Sequence, residues 1–162
     1  METGLVMYEE EFGRITSLLQ RLRVDASAKI VFLVDKNGQQ IAGAGEIEQV
    51  DTTSLASLTA GNVAATDGLA RLIGEKEFSI LFHEGRKDNI HISIVGQRLI
   101  LVVIFDERSS LGLVRLRVRK ASSEIERILV DMEEKALEVG ADEAGSPFAE
   151  ITDDDIDALF SE

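Results

Sequence analysis

The stretch from Asp51 to Gly74 constrains the fold more than any other part of this chain. It reads as a single helix whose apolar stripe, Leu55, Leu58, Leu69, Leu72 and Ile73, falls at helical spacing. A second face is made almost entirely of small residues, with Ala60, Gly61, Ala64, Ala65 and Gly68 between and around these leucines. Asp51 or Thr52 suits the N-cap and Gly74 the position just past the C-cap. A glycine inside a helix costs about 1 kcal/mol relative to alanine. This helix carries two, so its small face is expected to admit a close-packed partner.

The segments on either side place this helix in a sheet. An amphipathic helix over roughly 5–23 comes first, with Tyr8, Phe12, Ile15, Leu18, Leu19 and Leu22 recurring at steps of three and four. Residues 29–35 form an apolar strand, covered on both faces by its continuous run at 30–34. Asn37-Gly38 then predicts a hairpin turn with both central residues at positive φ, leading into a second strand over 40–45. After the small-residue helix come strands at about 78–83, 89–95 and 99–106, joined by turns at 84–88 and 96–98. The alternation Ile90-His-Ile-Ser-Ile94 predicts a half-exposed strand, and the unbroken apolar run 99–105 a central one. Val114-Arg-Leu-Arg-Val118 alternates like a strand, but the longer stripe Val114, Val118, Ala121, Ile125, Ile128, Leu129, Met132 makes 110–138 a helix. Arg115, Arg117, Arg119 and Lys120 near its start read as a solvated face, with pairing to the acidic first helix, or as a phosphate site. The order is α-β-β-α-β-β-β-α. Short turns make the five-stranded sheet antiparallel, and the helix between strands two and three crosses over, so the class is α+β.

Composition excludes several functions. The 162 residues are 44% apolar and 29% charged, enough for one soluble domain with a real core. No apolar run nears the roughly 20 residues of a membrane span, and the acidic start has no basic n-region of a secretory signal. The chain has no cysteine, which removes disulfides and thiolate metal sites and fits a cytoplasmic protein. Net charge is −13, and eight of the acids lie in residues 140–162, which contain no base. Nucleic acid is therefore an unfavourable partner. No P-loop, dinucleotide fingerprint or Ser-His-acid set is visible. His83 and His91 lie on different strands with no third ligand at a telling spacing, so no metal and no cofactor are expected, and no catalytic residues.

The chain divides into a domain over 1–139 and a tail over 140–162. Gly140 to Pro147 has linker composition. Beyond it, Thr152 suits an N-cap with Asp155 three residues on, and Ile151 and Ile156 suit the hydrophobic staple. Asp153, Asp154 and Asp155 complement the helix dipole. Phe148, Ile151, Ile156, Leu159 and Phe160 supply apolar contacts. A helix this short is below the roughly 12–15 residues needed for stability alone, so it orders on docking, either to a partner or back onto its own domain.

The element order, the turn in Val31-Phe-Leu-Val-Asp-Lys-Asn-Gly38, the helix Asp51-Thr-Thr-Ser-Leu-Ala-Ser-Leu-Thr-Ala-Gly-Asn-Val-Ala-Ala65 and the run Ser110-Leu-Gly-Leu-Val114 resemble the Roadblock family of dimeric GTPase-associated modules. Leu5 to Phe12 and the tail Gly145 to Phe160 extend the resemblance to nearly the whole chain, toward the family's bacterial polarity regulators. It implies a profilin-like fold and a homodimer whose crossover helices form a platform for one small Ras-like GTPase. The chain would stimulate GTP hydrolysis by reshaping its partner, without an arginine finger, and its tail helix would promote nucleotide exchange. Carried onto this sequence, the platform falls on Ala60, Gly61, Ala64, Ala65 and Gly68, with Asp67 at the rim. The tail contact falls on Phe148, Ile151, Ile156, Leu159 and Phe160. Two other readings stay open: a scaffold that leaves turnover unchanged, and an arginine finger from Arg86 or Arg98.

Overall fold

A computed structural model describes residues 8–144. The elements are α1 (Glu9–Asp25), β1 (Ile30–Asp35), β2 (Gln40–Gly45), a 3-10 turn at Ile47–Gln49, α2 (Thr52–Leu72), β3 (Ile80–Glu84), β4 (Asn89–Val95), β5 (Leu99–Phe105) and α3 (Leu111–Ala144). The five strands are all antiparallel, in the order β2-β1-β5-β4-β3. α3 runs on through Gly140 to Ala144, into the stretch whose composition reads as a linker. The expected tail helix lies outside the described residues.

Strands β1 and β5 separate two cores. Val31, Leu33, Leu101, Val103 and Phe105 face α1 and α3, while Ile30, Phe32, Val34, Ile100, Val102 and Ile104 face α2. Every residue of β5 is buried, as its unbroken apolar run requires. α1 seats Ile15, Leu18, Leu19 and Leu22 in the first core, and Phe12 stands at the margin, 46% exposed. α1 and α3 lie antiparallel, tied by Arg14–Asp131 at 3.0 Å, Arg21–Glu124 at 3.3 Å and Lys135–Glu11 at 3.4 Å. The cations that pair across these helices are thus not Arg115, Arg117, Arg119 or Lys120, which form no ion pair among the described residues.

Two turns differ from the sequence reading. At the β1–β2 hairpin only Gly38 has positive φ, +91°. Asp35 Oδ1 accepts the amides of Asn37 (2.9 Å) and Gln39 (3.0 Å), and the Gly38 amide donates to the Asp35 carbonyl. The aspartate thereby stabilises a type I turn closed by a left-handed glycine, and further along the ladder a separate register shift lies between Leu33 and Val34. Two adjacent left-handed residues occur instead at Gly96 (+60°) and Gln97 (+64°), between β4 and β5.

β4 also departs from its pattern. His91 and Ser93 are buried beneath α3, whereas Ile90 and Ile94 are only half-buried on the other face. The alternation marks two faces correctly, but α3 covers the polar one. Neither His91 nitrogen nor Ser93 Oγ has a hydrogen-bond partner among the described residues. Burial, and to a lesser degree the Arg115 charge, push the His91 pKa down.

Candidate partner-binding surface

α2 is the crossover between the two sheet edges, and its ends are locally encoded. Asp51 caps the N-terminus: Oδ1 accepts the Ser54 amide at 3.1 Å and Oδ2 the Ser54 hydroxyl at 2.7 Å. These bonds, the hydroxyl's first, hold the Asp51 carboxyl below its ordinary pKa. At the C-terminus the Gly74 amide donates to the Arg71 carbonyl and the Glu75 amide to the Ala70 carbonyl, with Gly74 at φ +81°. This is the Schellman arrangement, which needs a left-handed residue at that position.

The helix does not divide into one small-residue face and one apolar face turned to the sheet. Ala56, Thr59, Ala60, Val63 and Ala70 are buried toward the sheet. The leucine stripe points out: Leu58 is 72% exposed, Leu69 60%, Leu72 84% and Ile73 68%. Leu55 alone of the five is half-buried against the α2 core. The physical reason is space. Gly38 at the hairpin tip lies so close that a Cβ there would come 3.2 Å from Ser57 Cα, and small inward residues let α2 sit low on β1.

The small residues therefore divide between two faces. Ala60 is buried, and its methyl group is unavailable to a partner. Gly61, Ala64 and Ala65 are exposed and Gly68 is half-exposed. Ser57, Gly61, Ala64 and Gly68, at steps of four, three and four, form one outward row; Leu58, Ala65, Leu69 and Leu72 form the row beside it. A Cβ built at Gly61 or at Gly68 meets nothing within 4 Å. Nothing among the described residues requires glycine at either position.

Asp67 is corrected as well. It belongs to the inward row after Ala60 and Val63, is half-buried, and its Oδ1 is shielded from solvent without a partner among the described residues. Thr66 Oγ1 donates back to the Asn62 carbonyl at 2.8 Å. On the flank beyond the leucines, Asn62 Nδ2 and His83 Nε2 lie 2.9 Å apart, joining α2 to β3. β3 is an edge strand, and its Ile80 is 49% exposed. This apolar flank of leucines and edge strand is absent from the sequence reading. The row Ala56, Ala60, Val63, Ala70 carried the signal, since it is itself a continuous helical face.

Of the two exposed-turn arginines, Arg98 reaches toward Glu133 on α3, at 3.9 Å and away from α2, while Arg86 stands in the β3–β4 turn. His83 and His91 lie on opposite faces of the sheet, one exposed and one buried. Among the described residues no three metal-ligating side chains cluster, and no helix is long and apolar enough to cross a membrane. The tail positions Phe148, Ile151, Ile156, Leu159 and Phe160 lie outside the described residues.

The Roadblock/LC7 domain model matches residues 14–105, more than half of the chain. Among solved structures, Myxococcus xanthus MglB is similar at 63% identity, covering 79% of this chain and 96% of that one, with a TM-score of 0.75. The gliding protein MglB of Thermus thermophilus is similar at 31% identity over 81% of this chain and 99% of that one, TM-score 0.73. An MglB with a tetrameric arrangement matches at 30% identity over 82% and 99%, TM-score 0.74. Acanthamoeba castellanii profilin IA, at 10% identity over 68% and 95% and TM-score 0.53, shares the fold alone. Comparison with curated proteins returns no match.

Proposed function

The chain belongs to the Roadblock/LC7 family, and we propose that it is a homodimeric activator of a small Ras-like GTPase of the MglA kind, acting in cell polarity and gliding motility from the cytoplasm and a cell pole. The observation that carries this reading is the outward row of α2. Gly61 and Gly68 each cost the helix about 1 kcal/mol, and no contact within the described chain calls for either. A partner backbone pressed against Gly61, Ala64, Ala65 and Gly68 supplies the missing reason, with Ala60 supporting the row from beneath.

The neighbouring leucine row and the open edge of β3 supply the dimer. Leu58, Leu69 and Leu72 are more exposed than isolated large apolar side chains on a monomer need to be, and an unpaired edge strand beside them offers backbone hydrogen bonds to a second copy. Two copies of α2 side by side present one continuous small-residue platform. Activation then comes from holding the partner's own residues in place, not from chemistry on this chain. The tail residues Phe148, Ile151, Ile156, Leu159 and Phe160 are the proposed second contact, promoting nucleotide exchange.

Single-turnover GTP hydrolysis by the cognate GTPase, with and without this protein, tests the reading. Acceleration by about two decades or more, within the range that correct placement of transition-state groups supplies, is the expected result. Binding without acceleration means a tethering scaffold. Unchanged exchange kinetics after truncation at Gly145 remove the tail's role.

A further inference from the structure

The outer surface of the α1–α3 layer carries a groove of about 760 Å³, on the opposite side of the sheet from α2. Gly13, Arg14, Ser17 and Arg21 line it from α1, and Glu124 and Arg127 from α3. Three arginines stand against Glu124 in the lining and Asp131 beside Arg14, which leaves a net positive groove on a chain of net charge −13. Arg14 and Arg21 each bridge an exposed acid across the helices, which leaves further guanidinium donors open to solvent, and Arg127 makes no ion pair among the described residues. Gly13 adds an independent signal. It lies inside α1, and a Cβ there meets nothing within 4 Å. As in α2, a helix-interior glycine without an internal reason points to something pressed against it.

The chemistry that fits is an acidic segment with apolar side chains, and the chain carries one within reach. Residues 145–162 contain six acids and no base. Arg127 stands 17 residues back from Ala144, roughly 25 Å along the helix at 1.5 Å per residue. The nine residues from Ala144 to Asp153 span up to about 30 Å when extended. The nearer part of α3 repels such a segment, because Glu133, Glu134 and Glu138 stand there exposed. The arginine-lined groove is the first positive surface beyond them along α3.

We propose that in the free protein the acidic segment from Glu150 to Asp157 docks into this groove of its own chain. Docked there, it is held on the face opposite the small-residue row, and any partner that uses the tail must first draw it out. The inference concerns the free protein and does not depend on what the tail does to a GTPase.

The absence of cysteine allows a direct test on the full-length protein. Ser17→Cys with Ser161→Cys places two spin labels, one in the groove and one at the tail. A short label–label distance is expected at about 0.01 M salt and lost at about 1 M, where the Debye length falls from roughly 30 Å to roughly 3 Å. The same loss is expected at low salt in Arg21→Glu/Arg127→Glu, whose circular dichroism stays that of the parent. Arg127→Gln gives a partial loss if the double reversal disturbs folding. Distances that ignore both salt and charge reversal overturn the proposal. So does a short distance that vanishes when labelled chain is diluted with excess unlabelled protein, since the tail then sits on another copy.

Discussion

Asn62 and His83 meet at 2.9 Å between Nδ2 and Nε2, and this contact joins the crossover helix to the edge strand. With the ring proton on Nδ1, the amide donates and Nε2 accepts. The pair lies at the junction between the leucine row of α2 and the open edge of β3, the two parts of the proposed dimer surface. Asn62→Ala should loosen β3 by about 0.5–1.5 kcal/mol, the net worth of one such bond. Hydrogen exchange of the Ile80–Glu84 amides should quicken while β1 and β5 stay protected. Unchanged protection in β3 would show the contact to be incidental.

Gly61→Ala and Gly68→Ala should each stabilise the chain by about 0.5–1 kcal/mol, because alanine is the better helix former and its methyl group meets nothing at either site. The same substitutions should weaken GTPase binding. Urea midpoints measure the first effect and titration with the GTPase the second. Stabilisation with wild-type affinity would separate the glycines from the contact.

Ala64→Arg or Gly68→Arg should abolish GTPase binding while fold and self-association persist, since a long charged side chain replaces a close approach. Circular dichroism, analytical ultracentrifugation and a binding titration report the three properties separately. Wild-type affinity in either variant removes the outward row from the site.

Leu69→Asp or Leu72→Asp should break self-association without unfolding the chain, because both side chains are mostly exposed in the single copy. Sedimentation should shift to the monomer with little change in thermal midpoint at matched monomer concentration. A large loss of stability in the monomer itself would place these leucines in the core after all.

His91 predicts a pH dependence of stability. Burial disfavours the imidazolium, and Arg115 adds to the effect, so the folded-state pKa lies below 6.5. Its neutral form is therefore compatible with folding at and above that value, and stability should fall as pH drops below about 6.5. Asp51 and Asp106, whose folded pKa values are lowered by hydrogen bonds from Ser54 and Arg108, lose their contribution in a more acidic window, below about 4. His91→Leu removes two unpartnered ring nitrogens and should flatten the profile just below about pH 6.5, at little cost near neutrality. Denaturant unfolding across that range checks the slope, and an unchanged slope would mean that His91 reaches water or a counter-charge.

The order of elements, the α2 caps at Asp51 and Gly74, and the burial of β5 were legible from sequence because each depends on neighbours a few residues apart. A carboxylate three residues from an amide, a glycine free to turn left-handed and an unbroken apolar run act locally. The turn at Gly38 was legible as a turn but not by type, because Asp35 accepting two amides selects a type I geometry. The side of α2 that meets the sheet was not legible. Its leucines and its alanines both recur at helical spacing, so periodicity alone leaves two rotations open. The nearness of Gly38 to Ser57 closes the choice in favour of the smaller face. In the same way, alternation in β4 distinguishes two faces, but only the placement of α3 decides that His91 and Ser93 lie on the buried one. Local hydrogen bonding and periodicity act along the chain, and the sequence by itself determines what they determine. Which apolar face is covered, and which is left for another protein, depends on layers brought together from distant segments, and only the tertiary structure decides it.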